Sequence, residues 1–534
     1  MNFHLSSGCV AGCLLAAVNV AMYAQTNLGK IEIGHERTET VTVVIPTART
    51  VSSISVVTAG APNLDFKRDE GGSCAIGVSY QNGATCTVRV VFGPRYPGDR
   101  HGAVVLRDQF EDIVGITYLQ GEGHGPRAAF LPGSQTRVSK GFLAPEGLAA
   151  DGGGNYYVAE NLFFPPGQGA GSDPIFGNVT QGSSPTHETQ IGQEWVDPTS
   201  VAVDGAGNAF VSDFIGGIWK LTLQSNKTYV QSLAVSGGNS VAVDGSGNLY
   251  TIEVGSDLYK ETLQPDGSYL PTRIATGFVT VTGIAVDEDG NVYVADSGDP
   301  FASGGPAGVA VYKETLKKGK YTRSTIDTGW KQPSAIAVDG LGNLYINDSG
   351  SVYKETLLQN KRYLKSTLVS KVAQPGGVAV DGAGSVYVTE YSGVGDYGLP
   401  GYSVYRLDYS HPSTLSFSAA QRGSTSSDGP KRITVSNAGN EDLNFWDVLY
   451  PADFPESRSG ARDCTLLTSL EVGENCTITV EFEPRSWMGS MKSTPLSERV
   501  VLLSNTMNNF IAEQTVTVSG TEVSSRPTAT PRRY

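Results

Sequence analysis

Charge is sparse in this chain of 534 residues: 39 Lys and Arg stand against 53 Asp and Glu, 17% of residues are charged, and the formal net charge is −14. Without a basic surplus, nonspecific attachment to nucleic acid or to anionic lipid is excluded, because both need clustered Lys and Arg. Histidine is scarcer still, with 6 copies. Neither a G-x-S-x-G elbow nor an H-E-x-x-H pair occurs, so the familiar serine-hydrolase and zinc-protease layouts are missing. Outside the N-terminal region no apolar run approaches the roughly 20 residues that cross a bilayer as a helix. What the chain has instead is glycine, 65 residues of it, together with many Val, Thr and Tyr. That composition points to short strands and tight turns, and the length calls for several domains.

The N-terminal stretch "VAGCLLAAVNVAMYA" follows "MNFHLSSGC" and reads as a secretory signal cleaved near Ala24, although no Lys or Arg precedes it. "VAGC" also resembles a lipoprotein lipobox with Cys13 as the acylated residue. Most of the apolar run, however, lies after Cys13, where a lipoprotein is already polar. Cys9 and Cys13 fall within this segment, which leaves Cys74, Cys86, Cys464 and Cys476. Each pair is twelve positions apart, and each second Cys opens a similar string, "CTVRVVFGPR" and "CTITVEFEPR". Of the three pairings open to four cysteines, that shared context selects Cys74–Cys86 and Cys464–Cys476. Zinc would require closer spacing or nearby His.

Between the two cysteine pairs a motif recurs six times: "GLAADGGGNYYVAE" (147–160), "SVAVDGAGNAFVSD" (200–213), "SVAVDGSGNLYTIE" (240–253), "GIAVDEDGNVYVAD" (283–296), "AIAVDGLGNLYIND" (335–348) and "GVAVDGAGSVYVTE" (377–390). Two apolar alternating runs flank a Gly/Asn/Asp turn, which is the pattern of a β-hairpin. A third run such as "LYKETL" (258–263) and a fourth such as "SYLPTRIA" (268–275) complete each unit. Four strands in 40 to 53 residues is the period of a propeller blade, so six units predict six blades. The last unit stops at "VYRLDYSHP" without a fourth strand, whereas "QTRVSKGF" (135–142), upstream of the first, parallels "PTRIATGF" (271–278). The upstream segment is therefore expected to supply the outer strand of the last blade and to close the ring. In the irregular first blade, the third and fourth strands must come from "PIFGNVTQG" and "THETQIGQEW".

The units resemble NHL-repeat propellers of secreted bacterial proteins, on the strength of "VAVDGxGNVYVAD" and "VYKETL" over about 145–410. The flanks, through "C-T-[VI]-x-V-x-F-x-P-R", resemble choice-of-anchor D domains, bacterial relatives of ASPM/SPD-2/Hydin sandwiches. Together these resemblances imply an all-β chain: a six-bladed propeller (126–411) between two immunoglobulin-like sandwiches (25–125 and 412–522), preceded by a signal peptide (1–24) and followed by a disordered tail (523–534).

Nine positions after each turn aspartate comes an acidic residue: Glu160, Asp213, Glu253, Asp296, Asp348 and Glu390. Strand direction puts all six on one face of the ring, beside the long connections near 161–173, 297–308 and 391–402. They form a candidate ring for a cation or basic ligand; the competing structural role is to accept hydrogen bonds from loop amides of their own blades. The turn aspartates Asp151, Asp204, Asp244, Asp287, Asp339 and Asp381 read as hairpin caps. "DEDGN" (287–291) invites a Ca²⁺ reading but lacks the distal Glu of a calcium loop. Tyr259, Tyr312, Tyr353 and Tyr405 are expected between blades, with the adjoining Lys in solvent. Only His187 lies in the propeller, with His411 at its edge, so a lyase built on channel histidines has little to work with. The expected function is noncatalytic recognition of a protein or glycan at the cell envelope, without nucleic acid, cofactor or transmembrane segment. The rival is a metal-dependent hydrolase or lyase, lactonase-like or streptogramin-lyase-like, at the channel mouth.

Overall fold

The computed structural model describes residues 23–161, 178–184, 186–214, 216–253, 256–264, 266–299, 301, 308–394, 400–457, 462–485 and 493–523. The expected signal segment up to residue 22, the tail from 524 and most of the long connections lie outside these residues. Among the described residues the regular elements are strands, apart from one 3-10 turn at Thr506–Asn508, and no helix is long and apolar enough to cross a membrane.

Among the described residues, six four-stranded antiparallel sheets follow one another along the middle of the chain. In each, the motif "VAVDGxGN" bends two strands into a hairpin around its turn aspartate. Asp244 shows how. Its Oδ1 accepts the amides of Ser246 (3.0 Å) and Asn248 (2.9 Å), and its Oδ2 accepts the Asn248 side-chain amide (2.9 Å) and the Tyr250 hydroxyl (3.2 Å). Asn248 Oδ1 in turn accepts the amide of Leu263 at the end of the third strand, at 3.1 Å. One Asp, one Asn and one Tyr thus tie three strands together, which accounts for their recurrence. The aspartates are hairpin caps in every sheet.

The innermost strands pack edge to edge in chain order, from Pro145–Ala150 through Pro198–Val203, Val241–Val243, Val281–Val286 and Pro333–Val338 to Val378–Val380, which packs back against Pro145–Ala150. This closed ring of radial sheets is a β-propeller. Close approach at the centre requires small residues: a Cβ on Gly147 would stand 2.8 Å from Ser200 Cα. The sheets bury Tyr156, Tyr157, Tyr250, Tyr293 and Tyr387 between them, all under 2% or at 2% exposed. The first sheet takes its outer strands from Asn178–Ser184 and His187–Gln190. In the last sheet the order is Gly133–Phe142, Pro400–Pro412, Val386–Val394, Val378–Val380. The segment upstream of the first repeat therefore pairs antiparallel with the last third strand, Arg137 opposite Tyr405. Phe142 is buried there against Val404 and Leu148.

Before the ring, a five-stranded sheet (including Tyr23–Glu32, Gly98–Arg107 and Ile113–His124) faces a three-stranded one (Arg37–Ile45, Phe66–Gly72, Ala84–Phe92) over a core of Val41, Val43, Val90, Leu106 and Leu119. Cleavage after Ala24 would fall inside the first of these strands. A Cys74–Cys86 disulfide pins a loop to the smaller sheet, and Cys464–Cys476 does the same in the second sandwich. That second sandwich is not contiguous in sequence. Ala128–Leu131 pairs with Lys431–Asn437, Phe130 opposite Val435, and Phe130 is fully buried in its core. Sequence alone places this segment at the start of the ring (126–411). It lies in the C-terminal sandwich because its alternating Ala128 and Phe130 fill an open sheet edge there.

Candidate functional site

The second strands all end on one face of the ring, and the six acidic residues stand there. Asp213 accepts the amides of Val196 and Asp197, both at 3.0 Å, and Asp296 those of Val279 and Thr280, both at 2.8 Å. Asp348 accepts Gln332 (2.6 Å) and Lys331 (3.1 Å), Glu390 accepts Ala373 (3.2 Å), and Glu160 accepts Leu143. Each carboxylate therefore holds the loop that enters its own first strand, sixteen or seventeen residues earlier. Glu253 is the exception: its carboxylate lies beside Gly237, where an added Cβ would meet both oxygens at 3.2 Å. Among the described residues no group of three His, Cys, Asp or Glu could hold a metal ion. Exposed Glu146 and half-buried Asp197 stand nearby. Desolvation, and then the charge of Asp197, raise the pKa of Glu146. The same rim carries exposed apolar side chains, Phe214 at 56%, Val279 at 47% and Phe301 at 92%.

The opposite face, where the hairpin turns lie, is covered. The Asp99 amide donates to the Gly340 carbonyl (2.7 Å), Arg100 to the Gly382 carbonyl (2.6 Å) and Gly152 to the Ala59 carbonyl (3.3 Å). Arg107 bonds the Leu223 carbonyl. The second turn position is Gly in five sheets, and at three of them, Gly152, Gly205 and Gly340, the sandwich backbone lies directly on it. A Cβ on Gly340 would stand 2.4 Å from Asp99 O, and one on Gly205 2.7 Å from Gly102 O. In the fourth sheet that position is Glu288, whose Oε1 meets His101 Nδ1 at 2.9 Å. The second sheet has Phe210 where the others have Tyr. Tyr118 of the sandwich supplies the absent hydroxyl, donating to Asp204 Oδ2 at 2.9 Å.

A cavity of about 530 Å³ remains under this cover. Its floor is the last residue of each inner strand, Ala150, Val203, Val243, Val286, Val338 and Val380. Its roof carries Asp99, Arg100 and His101, and its side, toward the C-terminal sandwich, carries Arg127 and Lys354. Arg100 is neutralised by Asp65 at 2.7 Å. Asp99 is pushed up to about 7, first by burial and then by the charge of Glu288. Burial opposes a charged His101, but neighbouring Glu288 outweighs it and raises the imidazole above its usual value. The 35% of the His101 side chain that is exposed borders this cavity.

The strand-three lysines, expected in solvent, lie instead over the aromatic rings of strand two: Lys260 is 5.3 Å from the Tyr250 centroid and Lys313 4.9 Å from that of Tyr293. Strand two presents its ring face toward the turn aspartate, and the ammonium finds both there. Tyr312 and Tyr353 pack between sheets against Phe278 (5.8 Å) and Trp330 (5.6 Å). None of Asp99, His101, Arg127, Glu288 and Lys354 was singled out from sequence as a site. Two departures from the repeat marked the covered face, Glu in "DEDGN" and Phe in "GNAFVSD".

No family model matches the chain, and no curated protein matches it. Solved structures do. A gluconolactonase of Xanthomonas campestris is 14% identical over 53% of this chain and 95% of its own, with a TM-score of 0.39. A luciferin-regenerating enzyme is 16% identical over 53% and 95%, with a TM-score of 0.36. Regucalcin, a calcium-binding protein of Agrobacterium tumefaciens, is 13% identical over 50% and 92%, also at 0.36. Likeness at this level says nothing about chemistry.

Proposed function

We propose that the chain is an exported, noncatalytic recognition protein: a six-bladed propeller between two immunoglobulin-like sandwiches, binding a protein or glycan on the face where the second strands end. The observation that carries this reading is the asymmetry of the ring. Its turn face is occupied by the sandwich, whereas its other face offers Phe214, Val279 and Phe301 to solvent, the kind of apolar rim that marks an interaction surface. Five of the six acidic residues on that face are engaged by backbone amides, so they shape the loops around it. Two disulfides suit an oxidising compartment.

The competing reading, a metal-dependent hydrolase or lyase, makes an opposite prediction at the same residues. Calorimetric titration of the full chain with Ca²⁺ and Zn²⁺, repeated on Asp348→Asn and Glu253→Gln, separates the two. Recognition predicts no saturable metal binding and, for Asp348→Asn, a loss of stability alone. Saturable binding abolished by either substitution would overturn it. In the positive arm, Phe214→Asp with Phe301→Asp should abolish capture on a glycan array or from envelope extract, while Leu270→Asp on an outer strand should not.

A further inference from the structure

The covered cavity is electrostatically uneven at its C-terminal side. In the third and fourth sheets the strand-three lysine reaches its turn aspartate, Lys260 to Asp244 at 3.8 Å and Lys313 to Asp287 at 4.0 Å, and Lys313 also donates to the Tyr293 hydroxyl at 2.8 Å. Lys354, the corresponding residue of the fifth sheet, forms no ion pair among the described residues; it lies 5.6 Å from the Tyr345 ring centroid. Its neighbour Asp339 is already used by the amides of Leu341 and Asn343, the Asn343 side chain and the Tyr345 hydroxyl.

The second cation of this wall, Arg127, likewise lacks a carboxylate partner among the described residues. It bonds the Ala383 carbonyl and lies 5.2 Å from the Tyr96 ring centroid. Burial, and then the repulsion of Arg127, lower the pKa of Lys354 against the pull of Asp339. With Asp339 committed to its hairpin, two cations share a largely buried space without a free acid between them, and an anion entering the space would relieve that cost. Five valines and one alanine floor the cavity for an apolar body, while the turn aspartates around them are held by their own hairpins and Glu288 is paired with His101, and about 530 Å³ falls within the range of small-molecule sites.

We infer that this cavity binds a small organic oxyanion, a carboxylate or a phosphate monoester with a short apolar body, its head paired by Lys354 and Arg127 and its body against the aliphatic floor of the ring. The site lies on the face opposite the proposed recognition surface, and neither depends on the other.

Calorimetry and thermal melting of the full chain with octanoate, octyl phosphate, octan-1-ol and inorganic phosphate test this. Octanoate or octyl phosphate should bind with one-to-one stoichiometry and raise the melting temperature, and the tighter of the two identifies the head group. Octan-1-ol and inorganic phosphate, each lacking one half of the ligand, should bind at least tenfold more weakly. Lys354→Met and Arg127→Met should each weaken binding at least tenfold. Lys354→Met removes an unpaired buried charge, so the free variant should melt at or above the parent temperature, which separates lost binding from lost folding. Failure of both octyl compounds to bind overturns the proposal, as does undiminished binding in both variants. Equal affinity for inorganic and octyl phosphate would overturn the apolar half of the site.

Discussion

Replacing Asp99 by Asn should flatten the pH dependence of stability at the junction between the N-terminal sandwich and the ring. Asp99 lies on Gly98–Arg107, its amide bonded to the Gly340 carbonyl. Its half-buried carboxyl faces Glu288, Glu122 and Asp289, with His101 opposing them. A carboxyl raised from 3.8 to about 7 holds its proton more tightly in the folded chain by on the order of 4 kcal/mol. The sign follows from linkage. With the folded pKa above the unfolded one, the contribution is complete below 3.8 and is lost as pH rises through about 7. Between pH 4.5 and 8 that loss amounts to about 3 kcal/mol. The raised pKa of His101 acts in the same direction, because its charged form is the one Glu288 favours.

Asparagine has nearly the same shape, cannot ionise and leaves the backbone bond in place. The gap in stability between Asp99→Asn and the parent should therefore move in favour of the variant by about 3 kcal/mol between pH 4.5 and 8. Differential scanning calorimetry of the full chain at several pH values reads this directly. Parallel curves for variant and parent would show that Asp99 titrates as an ordinary surface carboxylate, and would refute the buried acidic junction derived above.

Tyr118→Phe removes a hydrogen bond to the buried Asp204 carboxylate and should cost about 2 kcal/mol, measured by denaturant unfolding; a neutral result would mean that the sandwich does not complete the second sheet. Opening the Cys74–Cys86 bridge by double Ser substitution releases a loop of 12 residues and should lower stability by about 3 kcal/mol, whereas the ring transition in calorimetry should hardly move. Phe142→Ala should cost about 4 kcal/mol because Phe142 is buried in the closing sheet. Deletion of 135–142 should lower the melting temperature further by baring the edge of Pro400–Pro412. Melting at the parent temperature after that deletion would mean that the clasp does not hold the ring.

The repeat made much of the ring legible. Alternation gave the strands, Asp-Gly-x-Gly-Asn gave the turns, and the missing fourth strand of the last unit pointed to 135–142, because these signals are local and periodic. The paired contexts of Cys86 and Cys476 likewise indicated which cysteines join. Other features depended on contacts between distant segments and had no periodic trace. Ala128–Leu131 could not be assigned to the far sandwich, since a four-residue apolar strand suits any open edge. The lysines of "YKETL" could not be seen to fold over the preceding strand's ring, because alternation marks a face without saying what covers it.

The sequence by itself determined the building block: four short strands, a turn capped by Asp and carried by Gly, and a face too apolar to stay unpaired. Only the tertiary structure decided how the ring is used. Laying a sandwich on the turn face drew Glu288 to His101 and Tyr118 to Asp204, and it enclosed Asp99, Arg127 and Lys354 in one space. Those residues come from segments up to some hundreds of positions apart, and their charges acquire meaning only once water has been removed from between them.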